Sequence, residues 1–216
     1  STQEGWTSLA DAKARLKADQ KAIYYITGDN LESLRSSPLL EVYRDKGIEV
    51  LLLDDEIDEV VLPAIAKYKD TELKSVNRAG TGDDLRTEGD KERAREIQPL
   101  LERMKKALGG EVKDVRASAR LSDSPSCIVA DDSDPTVKLQ QIFRAMGQED
   151  IAEVRPILEI NPGHEIVKKL QGQADDDVVG DAARLLLEQA LLIEGVALKN
   201  PAEFARRLNR FMARAL

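Results

Sequence analysis

Two residue rhythms alternate through the first half of the chain. The stretches "AIYYIT" (22–27) and "IEVLLL" (48–53) are almost wholly apolar, as strands buried on both faces of a sheet are. Around them, segments 7–20, 37–46 and 56–68 read as helices, with Ser37 as an N-cap and Pro38 at the first helical position of the second. Pro63 predicts a kink or a second start within the third. A short strand is expected over 72–76. Strand and helix in alternation imply a small parallel sheet with helices on each side, a three-layer αβα unit. "NRAGTGDDLRTEGD" (77–90) has three glycines and little apolar content, and reads as a mobile loop. A helix over 91–108 follows, with Ile97, Leu101, Met104 and Leu108 on one face and Gly109 and Gly110 to end it. The boundary between two domains, 1–109 and 110–216, is placed there.

The second half has a different layout. Segments 112–118, 126–130 and 156–160 read as strands, and the helices grouped between and after them predict a mixed α+β unit ending in a helix pair. A helix after Asp134, with Pro135 as its first residue and Gly147 past its end, places Leu139, Ile142, Phe143 and Met146 at i, i+3, i+4 and i+7. Three helices close the chain, from Pro162 with Asn161 as cap, from Val178 to Glu194, and from Pro201 with Asn200 as cap. The second of these is apolar on more than one face, and the last carries Phe204, Leu208, Phe211 and Met212. One protomer cannot cover so much apolar surface, so two copies are expected to pair through these helices as a two-fold four-helix bundle. The expected interface positions are Leu186, Ala190, Leu191 and Ile193 on one helix, and Phe204, Leu208, Phe211 and Met212 on the other.

Composition narrows the class. Of 216 residues, 42% are hydrophobic and 33% charged, and the net charge of −8 argues against a phosphate-binding surface, so no nucleic-acid partner is expected. No run of about 18 apolar residues exists, so no membrane span is expected. Cys127 is the only cysteine and cannot form an internal disulfide, which fits a cytoplasmic protein. The start at Ser1 suggests a fragment or a processed chain.

Candidate chemistry is thin. Gly28 follows a strand and precedes a helical stretch, but it lacks the further glycines of a dinucleotide loop and the Gly-Lys-Ser/Thr of a P-loop, so it reads as a turn. Asp54, Asp55, Glu56, Asp58 and Glu59 crowd the carboxyl end of a strand, where a Mg²⁺ could sit. The same residues suit a helix's first turn, as do Asp175, Asp176 and Asp177. His164 is the only histidine, with no companion ligand or nucleophile, and is expected near a helix start. Arg206, Arg207, Arg210 and Arg214 read as the solvated face of the last helix. Neither a catalytic residue, a metal nor a cofactor is expected in this chain. A free-standing Mg²⁺-assisted hydrolase at Asp54 and Asp55, and a purely structural adaptor, are the alternatives.

The order of motifs says more. "KAIYYITGDN", "SPLLEVYRDKGIEVLLLDDEIDE", "LLERMKKALGGEVKDVRASARLSDSPSCIVADD", "ILEINPGHEIVKKL" and "LLLEQALLIEGVALKNPAEFARRLNRFM" together resemble the C-terminal part of the 90-kDa heat-shock chaperone family, on its bacterial side. The resemblance covers essentially the whole chain and implies a fragment: the end of the middle domain followed by the dimerisation domain. It implies ATP and Mg²⁺ binding only in an N-terminal domain outside this sequence, a homodimer through the last two helices, and contact with unfolded or partly folded clients. The helix carrying Leu139, Ile142, Phe143 and Met146 matches one that, in the family, projects into the cleft between protomers with apolar residues partly exposed. After Ile57-Asp58-Glu59 the family often places a large aromatic residue; here Val60 stands, which weakens a client role at that spot. The chain ends at "FMARAL", without the acidic tail that docks tetratricopeptide co-chaperones.

Overall fold

A computed structural model describes residues 1–148 and 153–215. Helix α1 (Leu9–Ala14) leads into β1 (Ala22–Thr27); α2 (Leu31–Ser36), a 3-10 turn at Pro38–Leu40 and α3 (Glu41–Asp45) then lead to β2 (Val50–Leu53). Next come α4 (Asp58–Ile65), the short β3 (Lys67–Tyr68), β4 (Thr71–Ser75), α5 (Ala79–Asp83) and the long α6 (Glu88–Leu108). The remainder is β5 (Asp114–Ala117), β6 (Ser126–Val129), α7 (Val137–Ala145), β7 (Ile157–Ile160), α8 (Glu165–Gln171), α9 (Asp176–Ile193) and α10 (Pro201–Ala215).

The first sheet runs β2-β1-β4-β3, with β1 parallel to both β2 and β4 and β3 antiparallel at the edge. All six residues of β1 are buried, and alternation sorts them onto two faces. Tyr24 and Ile26, with Val50 and Leu52, join Leu34, Leu39, Leu40 and Tyr43 on one side. Ile23 and Tyr25, with Leu51 and Leu73, join Ala12 on the other. Uninterrupted apolar runs therefore do mark a sheet covered on both faces. The sheet is mixed rather than wholly parallel because the expected 56–68 helix stops at Ile65: Ala66 turns left-handed at φ 55°, and Lys67–Tyr68 pair back onto β4.

The second sheet, β5-β7-β6, is also mixed, with β7 parallel to β5 and antiparallel to β6. Val115, Ala117, Ile128, Leu158 and Ile160 pack beneath the inward faces of α6, α8 and α9. Its other face sends Cys127, Val129 and Ile157 into the cluster built on the first sheet. The apolar stripe of α6 thus belongs to the second sheet, although 91–108 closes the expected first domain in sequence, and one core runs across the expected boundary at 109.

Three local expectations need correction. The 77–90 segment is not a loop throughout: it contains α5, with Ala79, Thr81 and Gly82 buried. Its glycines mark close approach. A Cβ on Gly82 would lie 2.3 Å from Arg120 Nη2, and one on Gly80 would lie 2.3 Å from Asp132 Oδ2. The helix cap after β7 is His164, whose Nδ1 accepts the Ile166 N–H at 3.1 Å, while Asn161 holds the Gly163 N–H and the Ser124 carbonyl. The helix after Asp134 is capped by Thr136 and begins at Val137, because Asp134 is drawn off to Lys113 at 2.8 Å. Caps at Ser37, Asp175 and Asn200 lie as expected, and Asn30, not singled out in the sequence, caps α2.

Candidate interaction surfaces and the seam between the sheets

Two apolar surfaces and one polar seam stand out. On α7, Thr136 caps the start and Gly147 leaves the end at φ 86°. Gln140 is the only buried residue of this helix. Leu139, Ile142 and Phe143 are half-buried, and Met146 is 71% exposed. An amphipathic helix normally sinks its apolar stripe into its own domain; this one leaves the stripe partly uncovered. Helix α4 contacts α7, and Ile57 at its cap with Val60, Val61 and Ile65 along it are exposed. Val60, where the family often has a large aromatic, is 42% exposed.

The second surface is the α9–α10 pair. Leu186 and Ala190, expected at a dimer interface, face the chain's own core at 4% and 2% exposure. Leu191 and Phe211 are half-buried against that core, and Phe204 is half-buried. Leu192, Ile193, Leu208 and Met212 stand exposed at 40–51%. Arg207 pairs with Glu188 at 2.7 Å and Arg210 with Asp181 at 3.1 Å, so two of the four arginines tie α10 to α9 rather than only lining a solvated face.

The seam is polar and closely satisfied. Arg120 is fully buried and donates from Nε to Glu159 Oε2 at 2.9 Å, from Nη1 to the Val76 carbonyl at 2.6 Å, and from Nη2 to the Arg78 and Ala79 carbonyls. Glu159 also accepts from Arg116 at 2.6 Å and Ser118 at 2.8 Å. Burial alone would raise the Glu159 carboxyl, but the two guanidiniums outweigh it and hold it below the usual carboxylate range. The loop behind is pinned by Glu41, whose carboxylate accepts the N–H groups of Ser122, Asp123 and Ser124. Glu59, expected in a helix's first turn or as one of a possible Mg²⁺ cluster, is buried and accepts from Thr27 Oγ1 at 2.6 Å and Thr136 Oγ1 at 3.1 Å. None of these partnerships is local in sequence, and no spacing announces them.

A Cβ on Gly28 would lie 2.7 Å from Leu34 Cδ2, so its bare face meets the protein's own side chain rather than an open cradle. Asp54, Asp55 and Glu56 point to solvent. Among the described residues, no group of three or more His, Cys, Asp and Glu side chains could hold a metal ion, and no helix is long and apolar enough to cross a membrane.

Known proteins resemble this chain along nearly its whole length. A family model described as Hsp90 protein matches residues 1–216. The chain is 51% identical over 214 residues to the chaperone protein HtpG of Treponema denticola, covering 97% of this chain and 33% of that protein. It is 47% identical over 216 residues to HtpG of Treponema pallidum, covering 98% and 34%, and 46% identical over 212 residues to HtpG of Wolinella succinogenes, covering 97% and 34%. The chain therefore spans about a third of the length of the curated relatives it matches. With a family model matched from end to end and relatives near half identity, the chain belongs to the Hsp90 family of heat-shock chaperones.

Proposed function

We propose that this chain is the dimerisation and client-contact module of an ATP-dependent chaperone, and that it neither binds nor hydrolyses ATP by itself. The observation that carries the reading is the placement of its uncovered apolar residues. Among the described residues, nine of the twelve exposed large apolar side chains lie on or at the ends of two contacting helix pairs, α9–α10 and α4–α7, while Trp6, Leu31 and Ile166 lie elsewhere. Apolar surface gathered in patches on a stable fold is surface for a partner. The α9–α10 patch suits a second copy of the chain, because a two-fold axis lets the same residues serve both sides and closes the assembly at two. The α4–α7 patch suits unfolded segments: Met146 is flexible and polarizable and Phe143 is bulky, so they accommodate many partners.

Sedimentation velocity of the 216-residue chain at micromolar concentration tests the first half, with a dimer expected and a monomer refuting it. Suppression of client aggregation by the full-length protein tests the second half, with weakening expected from Phe143→Ser combined with Met146→Ser. Labelled ATP is expected to show no saturable binding, and clear binding would refute that part of the reading.

A further inference from the structure

The last turn of α9 closes onto the first sheet's unit over a cavity of about 40 Å³ lined by Thr27, Asp29, Glu59, Asn77, Thr136, Lys138 and Glu194, among others. Glu194 is the C-cap residue of α9, where the helix dipole already disfavours a negative charge. A Schellman arrangement fixes the turn: the Gly195 N–H donates to Leu192 and the Val196 N–H to Leu191, with Gly195 at φ 73°. The fit is close, since a Cβ on Gly195 would lie 2.6 Å from Asp29 Oδ2.

Carboxylates dominate what Glu194 faces. Glu59 on α4 presents its charge, with both oxygens held by Thr27 and Thr136, and Asp29 adds a second charge from the β1–α2 turn. The Asn77 amide after β4 supplies a hydrogen bond to Glu194. Lys138 on α7 pairs with Asp29 and Glu56 instead. Cys127 on β6 is buried, and its thiol is pushed up by burial and by neighbouring carboxylates including Glu194, so it brings no positive charge.

We propose that Glu194 is a proton-operated latch: protonated, it keeps the end of α9 docked on the first unit, and ionised, it releases that turn together with the 195–200 segment that carries α10. Burial first, then the charges of Glu59 and Asp29, raises its carboxyl to about 7. A carboxyl raised in the docked state favours docking fully below its ordinary value of 4.5 and ceases to do so as the pH rises through about 7. From these two values, opening of the turn grows about tenfold between roughly pH 6 and pH 8. The latch goes beyond the pairing and client reading and does not depend on it.

The test is hydrogen exchange of the Leu191–Val196 amides in the 216-residue chain, corrected for the intrinsic base-catalysed rate, alongside a ¹³C titration of the Glu194 side-chain carboxyl. Opening is expected to rise about tenfold across that range in the native sequence. Glu194→Gln should flatten the response, and Asp29→Asn should move its midpoint to lower pH while leaving Glu59 on its two hydroxyls. A Glu194 carboxyl that titrates in the ordinary glutamate range, or opening that rises as steeply in Glu194→Gln, overturns the latch. Should Glu194→Gln fail to fold, the carboxyl titration and the Asp29→Asn shift decide the matter.

Discussion

At the scale of single residues, stability is concentrated where charges are buried. Arg120 and Glu159 occupy the centre of the seam as a buried ion pair, and Arg116 is a second partner of the carboxylate. Removing one partner of such a pair costs about 3–5 kcal/mol, because the other charge stays behind. Glu159→Gln is therefore expected to lower the unfolding free energy by that order, read as a lower denaturant midpoint, while leaving the α10 surface unaltered. Arg120 also explains Gly82, whose missing side chain is where the guanidinium lies. The opposite case is Ala66, exposed and left-handed at φ 55° with a Cβ that disfavours that conformation. Replacing it with glycine relieves a cost of about 1 kcal/mol at most, set against the extra freedom of the unfolded chain, so Ala66→Gly is expected to raise the melting temperature by a few degrees or leave it unchanged. Thermal unfolding distinguishes that result from the loss expected at an ordinary helical position.

Elements inherit their limits from caps and their positions from packing. Helix α6 starts at a reciprocal capping box, in which Thr87 Oγ1 accepts the Asp90 N–H and Asp90 accepts the Thr87 N–H at 2.8 Å. Losing such a cap costs about 1 kcal/mol. Thr87→Ala should show that loss in urea, and faster amide exchange confined to the first turn of α6 would locate it. Helix α7 differs because its apolar stripe lends little to the core. Phe143→Ser combined with Met146→Ser is expected to lower the melting temperature by a few degrees at most, since Met146 is exposed and Phe143 only half-buried. In the full-length protein the same pair should weaken suppression of client aggregation several-fold. Unchanged suppression with an intact fold would remove α7 from the client surface.

For the whole molecule, the decisive distinction is between apolar residues that fill the core and those left for a partner. Leu208→Asp with Met212→Asp places two charges on exposed positions of α10, so folding should survive while pairing is lost. Burying an unpaired charge in an interface costs several kcal/mol. Sedimentation is expected to show a monomer with native circular dichroism, and a dimer unaffected by both substitutions would place the interface elsewhere. Leu191→Asp is a poorer probe, because Leu191 also packs against the core and its loss would disturb both.

Much of the local structure is written in the residue order. Continuous apolar runs specify strands buried on both faces, three-to-four spacing specifies most of the helices, and short polar side chains cap them, because each of these depends on neighbours a few positions away. The family, too, is legible in the succession of motifs. What the sequence could not assign is the destination of each apolar or charged side chain. The stripe of α6 went to the second sheet, Leu186 and Ala190 went inward while Leu208 and Met212 stayed out, and Val60 is exposed on α4. Glu59, Glu159, Arg120 and Glu194 read as ordinary surface charges until the two sheets met. Burial, desolvation and ion pairing depend on which residues distant in the chain come within a few ångströms, and only the tertiary structure decides that.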